Sequence, residues 1–302
     1  MIDRILNKLG ISLNEMQQEA FQSIAHGNKD VVVLSPTGSG KTLAYLLPLS
    51  QLVDAGDDEP QAIVVTPGRE LALQSSTVLK DMGSGLRAMA CYGGRAAMDE
   101  HRVLKQVRPQ IIFGTPGRLN DHLSKGNFSP YHIKYLVIDE FDKCLEMGFQ
   151  DEMSRLIQFL PGLRRHFLLS ATEAEEIPRF VHMGRVEKID YRMDEEQVPE
   201  RVHIYKVESP VKDKLESLGR LLRSLGETST IVFLNYRDSV ERTNNYLVEQ
   251  GFSTSFFHGG LEQKEREASL YRFSNGSANI LVSTDLASRG LDIPDIDNII
   301  HY

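Results

Sequence analysis

The chain has 302 residues, 41% of them hydrophobic and 25% charged, and its formal net charge is -8. That length and mix fit two globular domains and exclude a disordered chain. The acidic balance excludes a broad, nonspecific polyanion binder but leaves room for a local basic groove.

Short β-branched runs alternate with amphipathic stretches along most of the chain. VVVL (31–34), AIVV (62–65), AMACY (88–92), QIIFG (110–114), YLVID (135–139) and HFLLS (166–170) read as buried strands. Each is followed by a helix-like segment, the signature of a parallel sheet with crossover helices. The pattern breaks at RMDEEQVPE (192–200), an acidic stretch with Pro199 that reads as a linker. It resumes in VHIYKV, STIVFLN, STSFFH, ANILVST and NIIHY. The fold class expected is therefore α/β, with two parallel-sheet domains in tandem: 1–191, then the linker, then 201–302. The second is short for its type and stops on a strand-like run at Tyr302, so it is expected to be truncated.

Cys91 and Cys144 are the only cysteines and form no CxxC pair. A disulfide scaffold or a zinc site is not expected, and a reducing, cytoplasmic setting is. MIDRILNKLG lacks a signal-peptide core, and no apolar run has membrane-spanning length. The methionines Met82, Met89, Met98, Met147 and Met153 keep no cofactor-like spacing, and a lone His258 beside Gly259-Gly260 is more often structural.

VVVLSPTGSGKT (31–42) carries the first chemical signal. An apolar strand enters a Gly-rich turn, and Lys41-Thr42 then opens a helix. Gly38 and Gly40 let backbone N–H groups converge on phosphate oxygens, helped by the positive end of the helix. Thr37 and Ser39 belong to the same cradle, Lys41 reaches the β- and γ-phosphates, and the Thr42 hydroxyl suits Mg²⁺. Ser35 stands where the loop pattern has its first glycine. The second signal is VIDEFD (137–142), a strand ending in crowded carboxylates. Acids that merely begin a helix would gain little. Beside a phosphate cradle, Asp139 suits a magnesium ligand and Glu140 the positioning of a water.

With these two signals come shorter ones in a fixed order: Gln17 in LNEMQQEAF, PGRELA (67–72), Gly93-Gly94, TPGR (115–118), SAT (170–172), IVFLNYR (231–237), Gln263 with Arg266, and STDLASRGLDIP (283–294). The series resembles the DEAD-box family of ATP-dependent RNA helicases over nearly the whole chain. The resemblance implies two RecA-like domains with ATP, Mg²⁺ and single-stranded RNA bound across their cleft. It also implies roles. Gln17 would read the adenine edge, Asp292 would reach the ribose and Arg289 would lie near the nucleotide or the acids of 139–142. Asp142 would pair with Ser170 and Thr172, linking hydrolysis to the RNA side. Pro67, Arg69, Gly94, Thr115, Pro116, Gly117, Arg118, Gln263, Arg266 and Thr284 would line the RNA track, mostly on the sugar-phosphate backbone. For Arg118 taken alone, a surface salt bridge is an equal reading.

Four features depart from the family. Phe141 replaces the usual alanine of the acidic motif, and Gly68 the usual threonine after Pro67. No aromatic precedes Phe21, and the Arg-rich motif HRxGRxxR is not in the chain. Such arginines are worth about 10³–10⁵ in rate, so the chain as it stands is expected to hydrolyse ATP weakly. Two other readings stand beside the RNA helicase: a related DNA-dependent ATPase, and a nonhydrolysing ATP-gated RNA clamp.

Overall fold

The computed structural model describes residues 2–94, 97–172, 177–192, 202–284 and 296–302. The chain divides into two compact units, Met1–Gln197 and Val198–Tyr302.

The first unit opens with helices α1 (Ile2–Leu9) and α2 (Glu15–Ala25). Strand β1 (Asp30–Leu34), helix α3 (Lys41–Leu52), β2 (Ala62–Val65), α4 (Arg69–Met82) and β3 (Ala88–Cys91) follow. Then come α5 (Ala97–Val107), β4 (Ile111–Gly114), α6 (Pro116–Ser124), β5 (Tyr135–Ile138), α7 (Phe141–Glu146), α8 (Gln150–Gln158), β6 (Arg165–Ser170) and β7 (Val186–Asp190). The strands form one sheet in the order β3-β4-β2-β5-β6-β1-β7, and every pairing is parallel. All strand C-termini therefore lie along one edge, the edge at which open α/β sheets bind ligands.

Alternation along each strand fills two cores. Val31, Val33, Val64, Phe113, Val137 and Phe167 face one side, packed with residues of α2, α3 and α4 such as Ala20, Tyr45 and Leu79. Val32, Leu34, Val65, Ile112, Ile138 and Leu168 face the other, against Leu119, Cys144, Met153 and Leu156. A sheet buried on both faces needs apolar runs rather than alternating polarity, which is why VVVL and AIVV carry no charge. The strand β7 was not anticipated. Its VEKID alternates in burial because it is an edge strand, exposed on one side.

The second unit contains α9 (Leu215–Leu225), β8 (Thr230–Leu234), α10 (Arg237–Glu249), β9 (Thr254–Phe257), α11 (Gln263–Ser274), β10 (Ile280–Thr284) and β11 (Asn298–His301). Its four strands pair in parallel in the order β11-β8-β10-β9. VHIYKV, expected as a strand, is not one. Residues 202–207 pair with no strand among the described residues, and Val202, Ile204, Tyr205 and Val207 are exposed. β-propensity there lacks a partner edge on which to act. Apart from Arg192, the expected linker 192–200 lies outside the described residues.

One buried cation fixes α2 against the first sheet. Arg165, 8% exposed at the start of β6, donates to the carbonyls of Lys29 (2.8 Å), Ile24 (2.7 Å) and Ser23 (2.9 Å). Its guanidinium also lies 4.8 Å over the Phe167 ring. The fork satisfies the last carbonyls of a helix whose other end carries Gln17. Replacement of Arg165 by Met is expected to lower the unfolding free energy of the first unit by about 2–4 kcal/mol in urea titrations, with little recovery in Arg165→Lys. A loss under about 0.5 kcal/mol would contradict the anchoring role.

Candidate nucleotide and nucleic-acid edge

β1 leads straight into the phosphate loop. Gly38 and Gly40 have φ of 80° and 86°, the left-handed region that glycine enters without penalty. A Cβ on Gly40 would also fall 2.3 Å from the Gln17 amide nitrogen. Ser35, in place of the pattern's first glycine, fits without strain: it is 1% exposed, and its amide donates to Ser170 O at 3.0 Å. The Lys41 ammonium folds back onto the loop, donating to Ser35 O (2.7 Å) and Pro36 O (2.8 Å). Thr37 and Gly38 are exposed, and Ser39, Gly40, Lys41 and Thr42 are half-buried.

The loop is clamped from α2. Asn14 caps that helix through a reciprocal bond with Gln17, and its amide nitrogen donates to Ser39 O at 3.0 Å. Gln17 donates to Gly40 O at 3.1 Å while its oxygen accepts from the Asn14 amide. Gln17 is thus engaged with the phosphate loop. Asn14 was not a sequence candidate, although N-x-x-Q before an amphipathic run is a capping signature.

The acids sit two strands away, at the end of β5. Asp139 is 2% exposed, and its amide donates to Val65 O at 2.9 Å. Burial pushes its carboxyl up to about 6 against the opposing pull of Lys41. Burial, reinforced by the charges of Asp139 and Asp142, pushes Glu140 up to about 7. Burial lowers the Lys41 ammonium, while the three acids act to raise it. Glu140 also takes a left-handed backbone, φ 49°, at the start of α7, a conformation that costs a non-glycine residue of order 1 kcal/mol.

Asp142 points to β6. Its carboxylate accepts from the Thr172 amide (3.1 Å) and hydroxyl (2.9 Å). The Ser170 hydroxyl donates instead to Thr172 O at 2.6 Å, so the contact expected to both residues falls on Thr172 and is supported by Ser170. Phe141 turns away from the acids. It is 2% exposed and lines an apolar cavity with Val32, Leu34, Leu168 and Ser170.

The RNA candidates of this unit collect on the ends of the three adjacent strands β2, β4 and β3. Pro67 is buried and Arg69 begins α4. The Arg69 guanidinium lies beside the turn at Gly93, where a Cβ would approach it to 3.6 Å. Gly94 has φ 95° and is exposed. Thr115 is the N-cap of α6, with Pro116 as its first residue, and the exposed Gly117 follows. Arg118 pairs with Glu100, 3.5 Å away. Glu100 was missed, because nothing local marks a helical glutamate as a partner of residues so far along the chain.

In the second unit, Thr284 ends β10 and is 8% exposed. Gln263 begins α11 and donates to Glu267 at 2.9 Å. The Arg266 guanidinium lies 5.0 Å over the Phe257 ring. His258 bonds Glu241 at 3.0 Å and accepts from the Gly260 amide at 3.1 Å, holding its own loop. Arg289 and Asp292 lie outside the described residues.

Comparison with known proteins agrees with this layout. The DEAD/DEAH box helicase family model matches residues 14–180, and that of the helicase conserved C-terminal domain matches 213–302. ATP-dependent RNA helicase DbpA of Escherichia coli is 38% identical over 98% of this chain and 65% of its own length. ATP-dependent RNA helicase CshA of Limosilactobacillus reuteri is 35% identical over 95% of this chain and 58% of its own. The chain thus spans less than two thirds of either relative. Among solved structures, S. cerevisiae Dbp5 bound to RNA and ADP BeF3 superposes with a TM-score of 0.88 at 26% identity, covering 100% of this chain and 78% of that one. Both parallel sheets are accordingly RecA-like, and the chain belongs to the DEAD-box family of helicases.

Proposed function

We propose that the protein is an RNA-dependent ATPase that separates short RNA duplexes locally or displaces protein bound to RNA. The observation that carries this is the strand order. The ends of β1, β5 and β6 hold the phosphate loop, Asp139, Glu140 and the Ser170–Thr172 turn, while the adjoining ends of β2, β4 and β3 hold Arg69, the Gly93-Gly94 turn and Arg118. Asp142 bonded to Thr172 spans the nucleotide half. In this reading 1–191 and 201–302 are the two domains joined by 192–200, and Arg289 and Asp292 would serve as nucleotide-binding residues. A cytoplasmic setting belongs to the same reading, with Cys91 and Cys144 as buried free thiols.

The residues fit a divalent cation. Glu140 has a buried oxygen, Oε2, without a hydrogen-bond partner, and burial raises both Asp139 and Glu140, the mark of a site short of positive charge. Asp139 and Thr42 would hold Mg²⁺, which when bound offsets charge on the phosphate oxygens. Lys41 would release the loop carbonyls to grip the phosphates. Glu140, raised to about 7, would accept a proton from the attacking water near its working pH. Gln17 and Asn14 would hold the loop in its receptive shape. Contacts from Arg69, Arg118 and the neighbouring amides to phosphate carry no base information, so preference for RNA over DNA would rest on the 2′-hydroxyl. Unstacking a base step costs a few kcal/mol, so each cycle opens only a short stretch.

Steady-state ATP turnover with and without single-stranded RNA tests this. Turnover is expected to rise with RNA, to fail without magnesium, and to drop by at least about 100-fold in Glu140→Gln. Turnover stimulated by DNA alone would favour the DNA-dependent ATPase, and ATP-dependent RNA binding without turnover would favour the clamp. A second outcome follows from the raised carboxyls. Their protonated forms are favoured by the folded state, so their contribution to stability is complete below the ordinary carboxylate range and is lost as pH rises through about 6 to 7. Without nucleotide and magnesium, the unfolding free energy should fall by about 2 kcal/mol more between pH 5 and 7.5 in the parent than in Asp139→Asn/Glu140→Gln. Equal slopes in urea titrations would contradict it.

A further inference from the structure

Glu100, on α5, is 4% exposed, yet its carboxylate gathers donors from two of the segments assigned to RNA. One oxygen accepts from the Tyr92 amide at 3.2 Å, immediately before the Gly93-Gly94 turn. The other lies 2.8 Å from His122 Nε2 and 3.5 Å from Arg118 Nε, both on α6. His122 is fully buried, and its Nδ1 accepts from the Asn127 amide at 2.8 Å. That leaves the proton on Nε2, which donates to Glu100. The imidazole is thus oriented on one side by Asn127 and itself orients the carboxylate on the other.

Burying a carboxylate is costly unless charge and hydrogen bonds compensate it. Here part of the compensation comes from Arg118, which also faces a second acid, Asp121, at 3.9 Å. Asp121 is 35% exposed and already paired with Lys125 at 2.7 Å, whereas Glu100 is buried and lies closer to Arg118. Cys91 Sγ completes a donor set with Glu100 and His122 within 4.8 Å. The guanidinium beside Glu100 makes an ion pair the better use of that carboxylate than a metal, and burial pushes the Cys91 thiol far up, away from the thiolate a metal requires.

We propose that Glu100, oriented by His122, is the positioning residue of the RNA-binding edge. It holds the Arg118 guanidinium and the approach to the Gly93-Gly94 turn in one arrangement, ready for successive phosphates of a single strand. The inference rests on the reading of Arg118 as a phosphate contact.

The test is a double-mutant cycle on the intact protein, with labelled single-stranded RNA and a nonhydrolysable ATP analogue, read by anisotropy. Arg118→Ala is expected to weaken RNA binding about tenfold and Glu100→Ala about five- to tenfold. The double variant should be no more than about twofold weaker than Arg118→Ala alone. Affinity for a fluorescent ATP analogue without RNA should stay within about twofold of the parent in each. Should Glu100→Ala fail to fold, the isosteric Glu100→Gln carries the same cycle with an expected loss of about threefold. RNA affinity unchanged in the Glu100 variants, or a Glu100 loss equally large with and without Arg118, would overturn the positioning role while leaving the RNA reading intact. RNA binding undisturbed by Arg118→Ala would overturn both.

Discussion

Three carboxylates and the Lys41 ammonium meet at the end of a sheet that is covered on both faces. Asp139 and Asp142 are buried, and Glu140 nearly so, with an oxygen that no hydrogen bond satisfies. Lys41 is turned back onto Ser35 and Pro36. A folded domain tolerates such an excess of buried negative charge by holding protons, which is what the raised carboxyls of Asp139 and Glu140 express. In the proposed reading a bound divalent cation would offset that charge. Much of the surrounding structure serves to keep that site in shape: Arg165 anchors α2, α2 presents Asn14 and Gln17, and these two hold the loop.

In the proposed reading, the same edge explains how hydrolysis and nucleic-acid binding would share one sheet. Parallel pairing brings all seven strand ends together, and the order of the strands sorts the chemistry into two neighbouring halves. Asp142 and Thr172 tie α7 to β6 beside the phosphate loop, while β2, next to β5, begins the basic half. Asp139 itself donates its amide to Val65 of β2. That strand leads on through Pro67 to Arg69 at the start of α4. Within the basic half, Glu100 and His122 do for Arg118 what Asn14 and Gln17 do for the loop.

Much of this could be read from the sequence where the signal is local. VVVL before TGSGKT specifies a buried strand, a turn requiring left-handed glycines and a helix within a dozen residues, and the structure has all three. The acids after YLVI were legible for the same reason. What escaped was set by partners distant in the chain. VEKID became a strand because β1 offered it an edge, and VHIYKV did not because no described strand did. Glu100 carries meaning only through His122 and Arg118, which the topology of β3 and β4 brings to it. Asp142 chose Thr172 over Ser170 through the turn after β6, which composition does not reveal. Phe141 fits because its ring goes to the sheet face rather than among the acids.

The charge deficit at Asp139 and Glu140 is the centre of the account, and calorimetry reads it most directly. Binding of a preformed magnesium complex of a nonhydrolysable ATP analogue would be measured near pH 6.5 in buffers of different ionisation enthalpy. The account predicts release of about one proton per site in the parent, and far less in Asp139→Asn/Glu140→Gln. A binding enthalpy independent of buffer in the parent would mean that the carboxylates are already charged and balanced, and would contradict it.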